Sequence, residues 1–333
     1  MITTTSKPGA LVPAGEEAID RAAALLARGM TVAVPTETVY GLAADATRGE
    51  AVARIFEAKN RPRFNPLIVH VCDMAMAERI AMFDQLSHAL AQTFWPGPLT
   101  LVLPLRSDAA ISPLVTAGLD TIALRMPRGI AADIIARFGR PVAAPSANPS
   151  GKVSATTAPA VAAGLGDRVP LIVDGGPTPV GVESTIVLVD GGRLRLLRPG
   201  GVTAAEIEAA TGIAVERSGD GKIVAPGMLA SHYAPEAAIR LDARRVEPGE
   251  ALLAFGPDRA EGFAHAAAIC NLSPGGDLRE AAANLFSALL DLDASGAASI
   301  AVEPIPDDGL GEAINDRLRR AAAPRDNDIQ AVS

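Results

Sequence analysis

Residues 59–67, KNRPRFNPL, constrain the fold of this chain more than any other stretch, because they combine three cations with two prolines. The apolar residues of 51–58 recur at helical spacing, and Pro62 prevents that helix from continuing, since proline lacks an N–H group and restricts the residue before it. Residues 67–71, LIVHV, predict a buried strand. The cations therefore lie at a helix–strand junction, either as a site for a polyanion such as a triphosphate or as a solvated basic turn.

The chain has 333 residues, a length at which two domains of about 150 residues are expected. A stretch rich in Gly, Pro and small polar residues separates them, so we predict domains at 1–212 and 239–333 joined by a linker at 213–238. Within the linker, residues 226–235 read PGMLASHYAP. A simple flexible linker needs no Met, His or Tyr, so we expect this segment to fold back and cover a binding site as a lid.

Composition argues against several classes of protein. No apolar run reaches the length of about 18 residues that crosses a membrane, and residues 1–8 lack the apolar core of a secretory signal, so we predict a cytoplasmic protein. The net charge of −8 does not support direct tRNA binding through a broad basic surface. Cys72 and Cys270 have no CxxC partner, which supports neither a disulfide framework nor a zinc site.

The order of the predicted elements indicates an α/β protein. In the first domain some strands are joined by helices and others by hairpins, such as the one across 186–198, which predicts a mixed twisted sheet flanked by helices. Apolar runs at 251–255, 266–270 and 299–302 predict parallel strands in a smaller α/β domain. We find no catalytic constellation in that second domain.

Polar loops follow several predicted strands of the first domain. Residues 35–42, PTETVYGL, carry hydroxyls, a carboxylate and a phenol, which either bind a ligand or satisfy local backbone groups. Residues 145–154, PSANPSGKVS, supply four short polar side chains and a lysine and predict a binding loop. Arg125 interrupts an apolar strand, so we expect it to pair with an anionic ligand or with a buried carboxylate.

The familiar catalytic motifs GxSxG, HExxH, the Walker A loop and GxGxxG do not occur in the sequence. What remains is a set of cations, hydroxyls and amides at the ends of strands: Lys59, Arg61, Arg63, Arg125, Arg198, Thr36, Ser146, Asn148, Ser154 and Ser184. Such a set is typical of enzymes that work by positioning and charge neutralisation, as phosphoryl and nucleotidyl transferases do.

Seven ordered motifs resemble the YrdC-like superfamily: PTETVYGL at 35–42, the KNRP…NPL stretch, FWPGPLTLVL at 94–103, ALRMP at 123–127, PSANPSG at 145–151, GVESTIV at 181–187 and RPG at 198–200. PGMLASHYAP followed by a small α/β domain resembles its two-domain branch, the threonylcarbamoyl-AMP synthases. The resemblance implies a YrdC-like mixed sheet with a concave ligand site and a smaller Rossmann-like C-terminal domain. Asn60 stands where this family often has glycine.

The resemblance also implies a reaction. The family makes L-threonylcarbamoyladenylate from L-threonine, bicarbonate or CO2, and ATP, and releases pyrophosphate, with Mg²⁺ held mainly by the ATP phosphates. The product serves the tRNA threonylcarbamoyl transferase machinery, which forms N6-threonylcarbamoyladenosine (t6A) in tRNAs that read ANN codons. The implied ATP-binding residues are Lys59 and Arg63, which would also be catalytic, with Ser146, Asn148, Ser154, Arg198 and the lid residue Tyr233. The implied threonine-binding residues are Thr36, His70, Thr121, Arg125 and Ser184.

Two other functions compete with this one. A double-stranded RNA or tRNA-binding module would use the same concave basic surface without ATP chemistry, although the net acidity and the few aromatic residues argue against it. Carbamoyl-adenylate chemistry on another acceptor occurs in hydrogenase maturation proteins that carry a related domain. Those proteins are much larger and contain modules absent from this sequence.

Overall fold

The structure is a computed structural model that describes residues 9–62, 64–217 and 232–324. Arg63, the predicted phosphate ligand, and residues 218–231, which include most of the predicted lid, lie outside the described residues. Within the described part of the chain, no helix is both long and apolar enough to cross a membrane.

A large mixed sheet forms the first part of the molecule. In chain order its strands are β1 (Ala10–Pro13), β2 (Val32–Pro35), β3 (Tyr40–Asp45), β4 (Ile68–His70), β5 (Leu99–Pro104), β6 (Thr121–Arg125), β7 (Val142–Ala143), β8 (Leu171–Asp174), β9 (Thr185–Asp190), β10 (Arg193–Arg198) and β11 (Val215–Arg217). Their spatial order is β1-β8-β2-β3-β7-β4-β6-β5-β9-β10-β11. Parallel pairs such as β4 with β6 alternate with antiparallel pairs such as β5 with β6, so the prediction of a mixed sheet is confirmed.

Helices cover this sheet: α1 (Glu16–Ala27), α2 (Gly49–Lys59), α3 (Met74–Glu78), α4 (Gln85–Phe94), α5 (Pro113–Thr116), α6 (Ile130–Phe138), α7 (Ala158–Leu165) and α8 (Ala204–Thr211). Helix α2 ends as the sequence predicts, and Asn60 follows it in the left-handed conformation with φ 51°. Glycine adopts this conformation freely and Asn is one of the few other residues that tolerates it, which explains the exchange at this position.

Two predictions for local structure are wrong. Residues 35–42 are not a continuous loop, because β3 begins at Tyr40 and pairs antiparallel with β2, leaving only a tight turn between them. The apolar residues of 74–83 recur at helical spacing and predict a helix, but only the short α3 forms, with Asp73 as its N-cap and Arg79 as its C-cap. Beyond it, Ala81 pairs with Leu105 at the edge of the sheet, so the chain is extended there.

A smaller sheet forms the second part of the molecule, with strands β12 (Ala238–Arg240), β13 (Ala251–Ala254), β14 (Ile269–Asn271) and β15 (Ser299–Val302) and helices α9 (Leu278–Ala294) and α10 (Leu310–Ala322). The strand order is β12-β15-β13-β14 and all pairs are parallel. The expectation of a small parallel α/β unit is confirmed.

The two parts share a buried apolar contact. Val39, Val153 and Val182 of the first part belong to the same buried cluster as the core of the second. Gly181 lies against α9 so closely that a Cβ atom would stand 2.2 Å from the carbonyl oxygen of Ala282. A side chain at this position would therefore separate the two parts.

Candidate active site

A cavity of about 50 Å³ lies where the ends of several strands meet the start of the second part of the chain. It is lined by Val39, Arg61, Ile68, His70, Arg125, Ala144, Pro145, Ser146, Glu183, Ser184, Arg198, His232 and Tyr233. Six of the predicted site residues are therefore together at one cavity: His70, Arg125, Ser146, Ser184, Arg198 and Tyr233. Its volume holds a water or two, so the arrangement is a closed one.

Lys59 lies at the end of α2 and is buried, with 1% of its surface exposed. Its ammonium donates to the carbonyl oxygen of Ser146 at 2.6 Å and to that of Asn148. Burial, followed by the nearby charge of Arg61, lowers the pKa of Lys59 well below its ordinary value. In this closed arrangement Lys59 fixes the backbone of the loop at 145–154.

Arg61 follows in the same turn and is also buried. One guanidinium nitrogen donates to the carbonyl oxygen of Pro66 at 3.0 Å, while Nε has no hydrogen-bond partner among the described residues. Burial lowers the pKa of Arg61 to about 10, so the side chain stays charged at neutral pH. Because Arg61 also lines the cavity, the turn supplies the cavity with a cation.

Ser154 and Glu183 form a buried pair beside the cavity, in which the serine hydroxyl donates to Oε1 at 2.5 Å. The other carboxylate oxygen of Glu183 accepts from Nε of Arg317 at 2.9 Å. Burial alone would raise the pKa of Glu183, but Arg317, Arg198 and the Ser154 hydroxyl lower it to about 2. Glu183 is therefore a carboxylate at neutral pH.

Arg198 lies at the end of β10 and reaches the segment before β9. Its Nε and Nη2 donate to the carbonyl oxygen of Ser184 at 3.1 and 2.9 Å, and Nη2 also donates to the Ser184 hydroxyl at 3.2 Å. That hydroxyl lies 2.8 Å from the hydroxyl of Thr100. Gly200, two residues after Arg198, has no room for a side chain, because a Cβ would stand 2.4 Å from the backbone nitrogen of Thr185.

Arg125 pairs with a buried carboxylate, which is one of the two kinds of partner that the sequence left open. Its Nη2 lies 2.9 Å from Oε1 of Glu37, and its Nε donates to the carbonyl oxygen of Gly97 at 3.2 Å. The other oxygen of Glu37 accepts from the backbone nitrogen of Arg128 at 3.0 Å. The guanidinium is therefore held at the end of β6, beside His70 at the end of the neighbouring β4.

Of the residues predicted to bind threonine, His70 and Thr36 lie near each other, whereas Thr121 lies elsewhere. Burial, followed by Arg125, lowers the pKa of His70 well below its ordinary value, and Nδ1 has no hydrogen-bond partner among the described residues. Thr36 lies near His70, and its hydroxyl donates to the carbonyl oxygen of Val39 at 2.7 Å. Thr121 lies at the opposite end of β6 from Arg125, across from Pro104, and the structure does not bring it to the cavity.

His232 and Tyr233, which follow the undescribed part of the linker, close one side of the cavity. The Tyr233 ring is buried, stacks on Phe286 with centroids 5.5 Å apart, and lies 5.4 Å from the guanidinium of Arg317. Burial raises the pKa of Tyr233 and lowers that of His232 to about 3, so both side chains are neutral near pH 7.

Sequence reasoning did not single out Glu37, Glu183 or Arg317. The two glutamates lie inside the motifs PTETVYGL and GVESTIV, where their buried partners could not be seen. Arg317 carries a detectable signal, because Ile314, Leu318 and Ala321 make the same face of α10 the buried one. A charged residue on such a face requires a buried partner.

Among the described residues, no group of three or more His, Cys, Asp or Glu side chains could hold a metal ion. The two carboxylates nearest the cavity are already paired with Arg125 and Arg317. The residues present therefore do not fit a metal site held by the protein alone.

Two family models match almost the whole chain. Residues 24–200 match the Sua5_yciO_yrdC family, described as Telomere recombination. Residues 202–323 match the family described as Threonylcarbamoyl-AMP synthase, C-terminal domain.

Relatives match over the full length as well. The chain is 42% identical over 324 residues to the threonylcarbamoyl-AMP synthase of Bacillus subtilis (strain 168), covering 92% of this chain and 93% of that one. It is 41% identical over 326 residues to the threonylcarbamoyl-AMP synthase of Pyrococcus abyssi, covering 91% of this chain and 94% of that one.

A solved structure shares the fold and both domains. The crystal structure of P. abyssi Sua5 complexed with L-threonine superposes with a TM-score of 0.83 at 39% sequence identity, covering 94% of this chain and 96% of that chain. Together with the family matches and the motif residues gathered at one cavity, this full-length similarity shows that the chain belongs to the threonylcarbamoyl-AMP synthase family.

Proposed function

We propose that this chain makes L-threonylcarbamoyladenylate from L-threonine, bicarbonate or CO2, and ATP, for the t6A modification of tRNA. The observation that carries the proposal is the charge of the cavity, whose described lining holds three arginines and a single carboxylate. With neutral histidines, that lining has a positive surplus suited to a substrate rich in phosphate and carboxylate oxygens.

The chemistry needs no protein nucleophile. Threonine and bicarbonate condense to an N-carboxylate with loss of water, and one of its oxygens attacks the α-phosphorus of ATP. The bond from that phosphorus to the bridging oxygen breaks, and pyrophosphate leaves with the electron pair. We propose that Lys59, Arg61, Arg63 and Arg198 neutralise the charge of the phosphates, since positioning and charge neutralisation dominate such transfers.

Binding of the nucleotide requires a change at Lys59. Its ammonium is held by two loop carbonyls, so we propose that ATP phosphates replace these acceptors when the loop at 145–154 moves. Ser146, Asn148 and Ser154 then face the nucleotide, and Tyr233 covers it. Oδ1 of Asn148 is buried without a hydrogen-bond partner in the described chain, so it is an acceptor still to be satisfied.

For threonine we propose a site made by Arg125, His70, Thr36 and Ser184. Arg125, positioned by Glu37, takes the carboxylate in a bidentate contact, and the neutral His70 accepts or donates one hydrogen bond. Thr121 is left out, because it lies four residues from Arg125 at the other end of β6, about 13 Å along the strand.

Mg²⁺ enters with ATP in this proposal, bound mainly by phosphate oxygens, as is usual for this ion. The product is a labile mixed anhydride, so a tRNA threonylcarbamoyl transferase must consume it, and we propose that both act in the cytoplasm. We retain residues 213–238 as the linker between a catalytic domain at 1–212 and a smaller domain at 239–333.

The test is pyrophosphate release by the purified chain with ATP, Mg²⁺, L-threonine and bicarbonate. We expect pyrophosphate release that disappears when either threonine or bicarbonate is omitted. Release that does not depend on threonine contradicts the proposal. Salt-sensitive RNA binding without any ATP turnover would favour the RNA-binding alternative instead.

A further inference from the structure

Arg317 connects the second domain to the site. It lies on α10 and its side chain is fully buried, with 0% of its surface exposed. The guanidinium is always charged, and a buried charge without partners would strongly destabilise the fold. The hydrogen-bond partners of Arg317 should therefore show what this arginine does.

The partners of Arg317 lie mainly in the first domain. Nε donates to Oε2 of Glu183 at 2.9 Å, and Nη1 donates to the carbonyl oxygen of Pro199 at 2.7 Å. A third contact, to its neighbour Asp316, is also 2.9 Å long. One side chain thus connects α10 to the segment that precedes β9 and to the segment that follows β10.

Both of those segments contain or directly adjoin cavity residues. Glu183 accepts the hydroxyl of Ser154 with its other oxygen, and the next residue, Ser184, accepts three hydrogen bonds from Arg198. Pro199 directly follows Arg198 in the chain. The Tyr233 ring, which lines the cavity, lies 5.4 Å from the guanidinium of Arg317, within the range of a cation–π contact.

We propose that Arg317 is a positioning residue for the nucleotide half of the site, so that the second domain completes that site through Glu183. The assignment of this half to the nucleotide rests on the proposed function. Arg317 acts through Glu183 and Pro199 and does not itself touch the reacting atoms. It sets the positions of Ser154 and Arg198. On the threonine side it acts only on Ser184, through Glu183 and Arg198, and it makes no hydrogen bond or ion pair with Arg125 or His70.

Arg317 could instead have a purely structural role, in which it only holds the two domains together. A second ion pair between the two parts of the chain provides a matched control for that role. Arg217 of β11, at the edge of the large sheet, pairs with Glu312 of α10 at 2.8 Å, but this pair is at the surface, away from the cavity. Arg217→Met therefore removes a contact between the domains and leaves Glu183 untouched.

The experiment compares Arg317→Met, Arg317→Lys and Arg217→Met with the wild type. We expect Arg317→Met to raise the KM for ATP about tenfold or more, as the loss of a charged hydrogen bond implies, while the KM for threonine changes less than about threefold. Arg317→Lys keeps the charge but lacks the planar fork, so we expect partial rescue. Arg217→Met should behave like the wild type.

The dependence of activity on pH distinguishes a positioning role of Arg317 from a role that only joins the domains. Without Arg317, the buried Glu183 loses its main counter-charge and its pKa rises, although Arg198, Lys59, His232 and Tyr233 still surround it. Activity of Arg317→Met should therefore increase with pH where the wild type is flat. The double variant Arg317→Met/Glu183→Gln should lose this increase.

Other outcomes overturn the proposal. If Arg317→Met lowers kcat/KM for both substrates equally, if its pH profile matches the wild type, or if Arg217→Met has the same effect, Arg317 only joins the domains. ATP binding by titration calorimetry without threonine gives a second readout that needs no turnover. A wild type that binds ATP but releases no threonine-dependent pyrophosphate would refute the proposed function, while the calorimetry would still decide the role of Arg317.

Discussion

At the scale of single residues, the site is built from buried charges that are held by other buried charges. Arg125 is only 4% exposed and Glu37 only 8%, and they meet at 2.9 Å. Removing one partner of such a pair leaves the other charge unpaired in a medium of low polarity, which is costly. Glu37 therefore positions Arg125, and its loss should be felt by whatever Arg125 binds.

Exchange of Glu37 tests this. We expect Glu37→Gln to raise the KM for threonine about tenfold with little change in the KM for ATP, because Arg125 loses the carboxylate that orients it. In an Arg125→Met background the same exchange should have almost no further effect on threonine affinity. Steady-state kinetics of the four proteins measure this, with Glu247→Gln as a surface control. Additive effects would show that the two residues act independently.

Residues of this kind were only partly predictable. Arg125 was found because a cation within an apolar strand is unusual, but its partner could not be chosen between a ligand and a carboxylate. The sequence shows Glu37 and Glu183 only as parts of polar motifs, because the order of residues does not tell which carboxylate meets which cation. Glu37 meets Arg125, 88 residues away, and Glu183 meets Arg317, 134 residues away. Pairing is a property of the fold.

At the scale of elements, the sequence predicts helix ends that proline marks, but it does not predict buried strands that lack an alternating pattern. Pro62 predicted the end of α2, and the helix ends at Lys59. Strand β3, YGLAAD, was taken for a loop in its first half because Gly and Ala are uncommon in strands. Both faces of β3 are buried, so it lacks the alternation that identifies a surface strand.

Gly200 is the element-scale feature with the sharpest consequence. A Cβ there would stand 2.3 Å from the carbonyl oxygen of Glu183, which would separate β10 from the segment before β9. We expect Gly200→Ala to lower the free energy of unfolding by about 3 kcal/mol, the upper part of the usual range for single exchanges.

The matched control is Gly275→Ala, because nothing lies within 4 Å of a Cβ at that position. We expect it to change the free energy of unfolding by less than about 0.5 kcal/mol. Urea unfolding of both variants measures the difference. Equal stabilities would mean that the contact at Gly200 relaxes without cost.

At the scale of the whole molecule, the cavity lies where the first domain meets His232 and Tyr233, and its histidines are neutral because both are buried. Burial is the main cause of the low pKa of both His70 and His232. A histidine whose pKa is lower in the folded state than in the unfolded chain stabilises the fold fully above its ordinary pKa of about 6.5. That contribution is lost as the pH falls toward the pKa of the folded state.

For His232 the window is from about pH 6.5 down to about pH 3. We expect the thermal stability of the wild type to fall as the pH is lowered from 7 to 5, with His232 accounting for about 2 kcal/mol at pH 5. His232→Gln should flatten this fall, whereas His265→Gln, at an exposed position, should not. Thermal melts at several pH values measure it. An unchanged slope in His232→Gln would show that this residue is not buried as a neutral group.

The distance along the chain between Glu183 and Arg317 also sets an order of events during synthesis. They are 134 residues apart, and a ribosome adds about 5–20 residues per second, so roughly 7–27 s pass between them. During that interval Glu183 has been made, but Arg317, its main counter-ion in the folded protein, has not. The site can take its final form only after α10 has been made, and a chain released before that point would lack it.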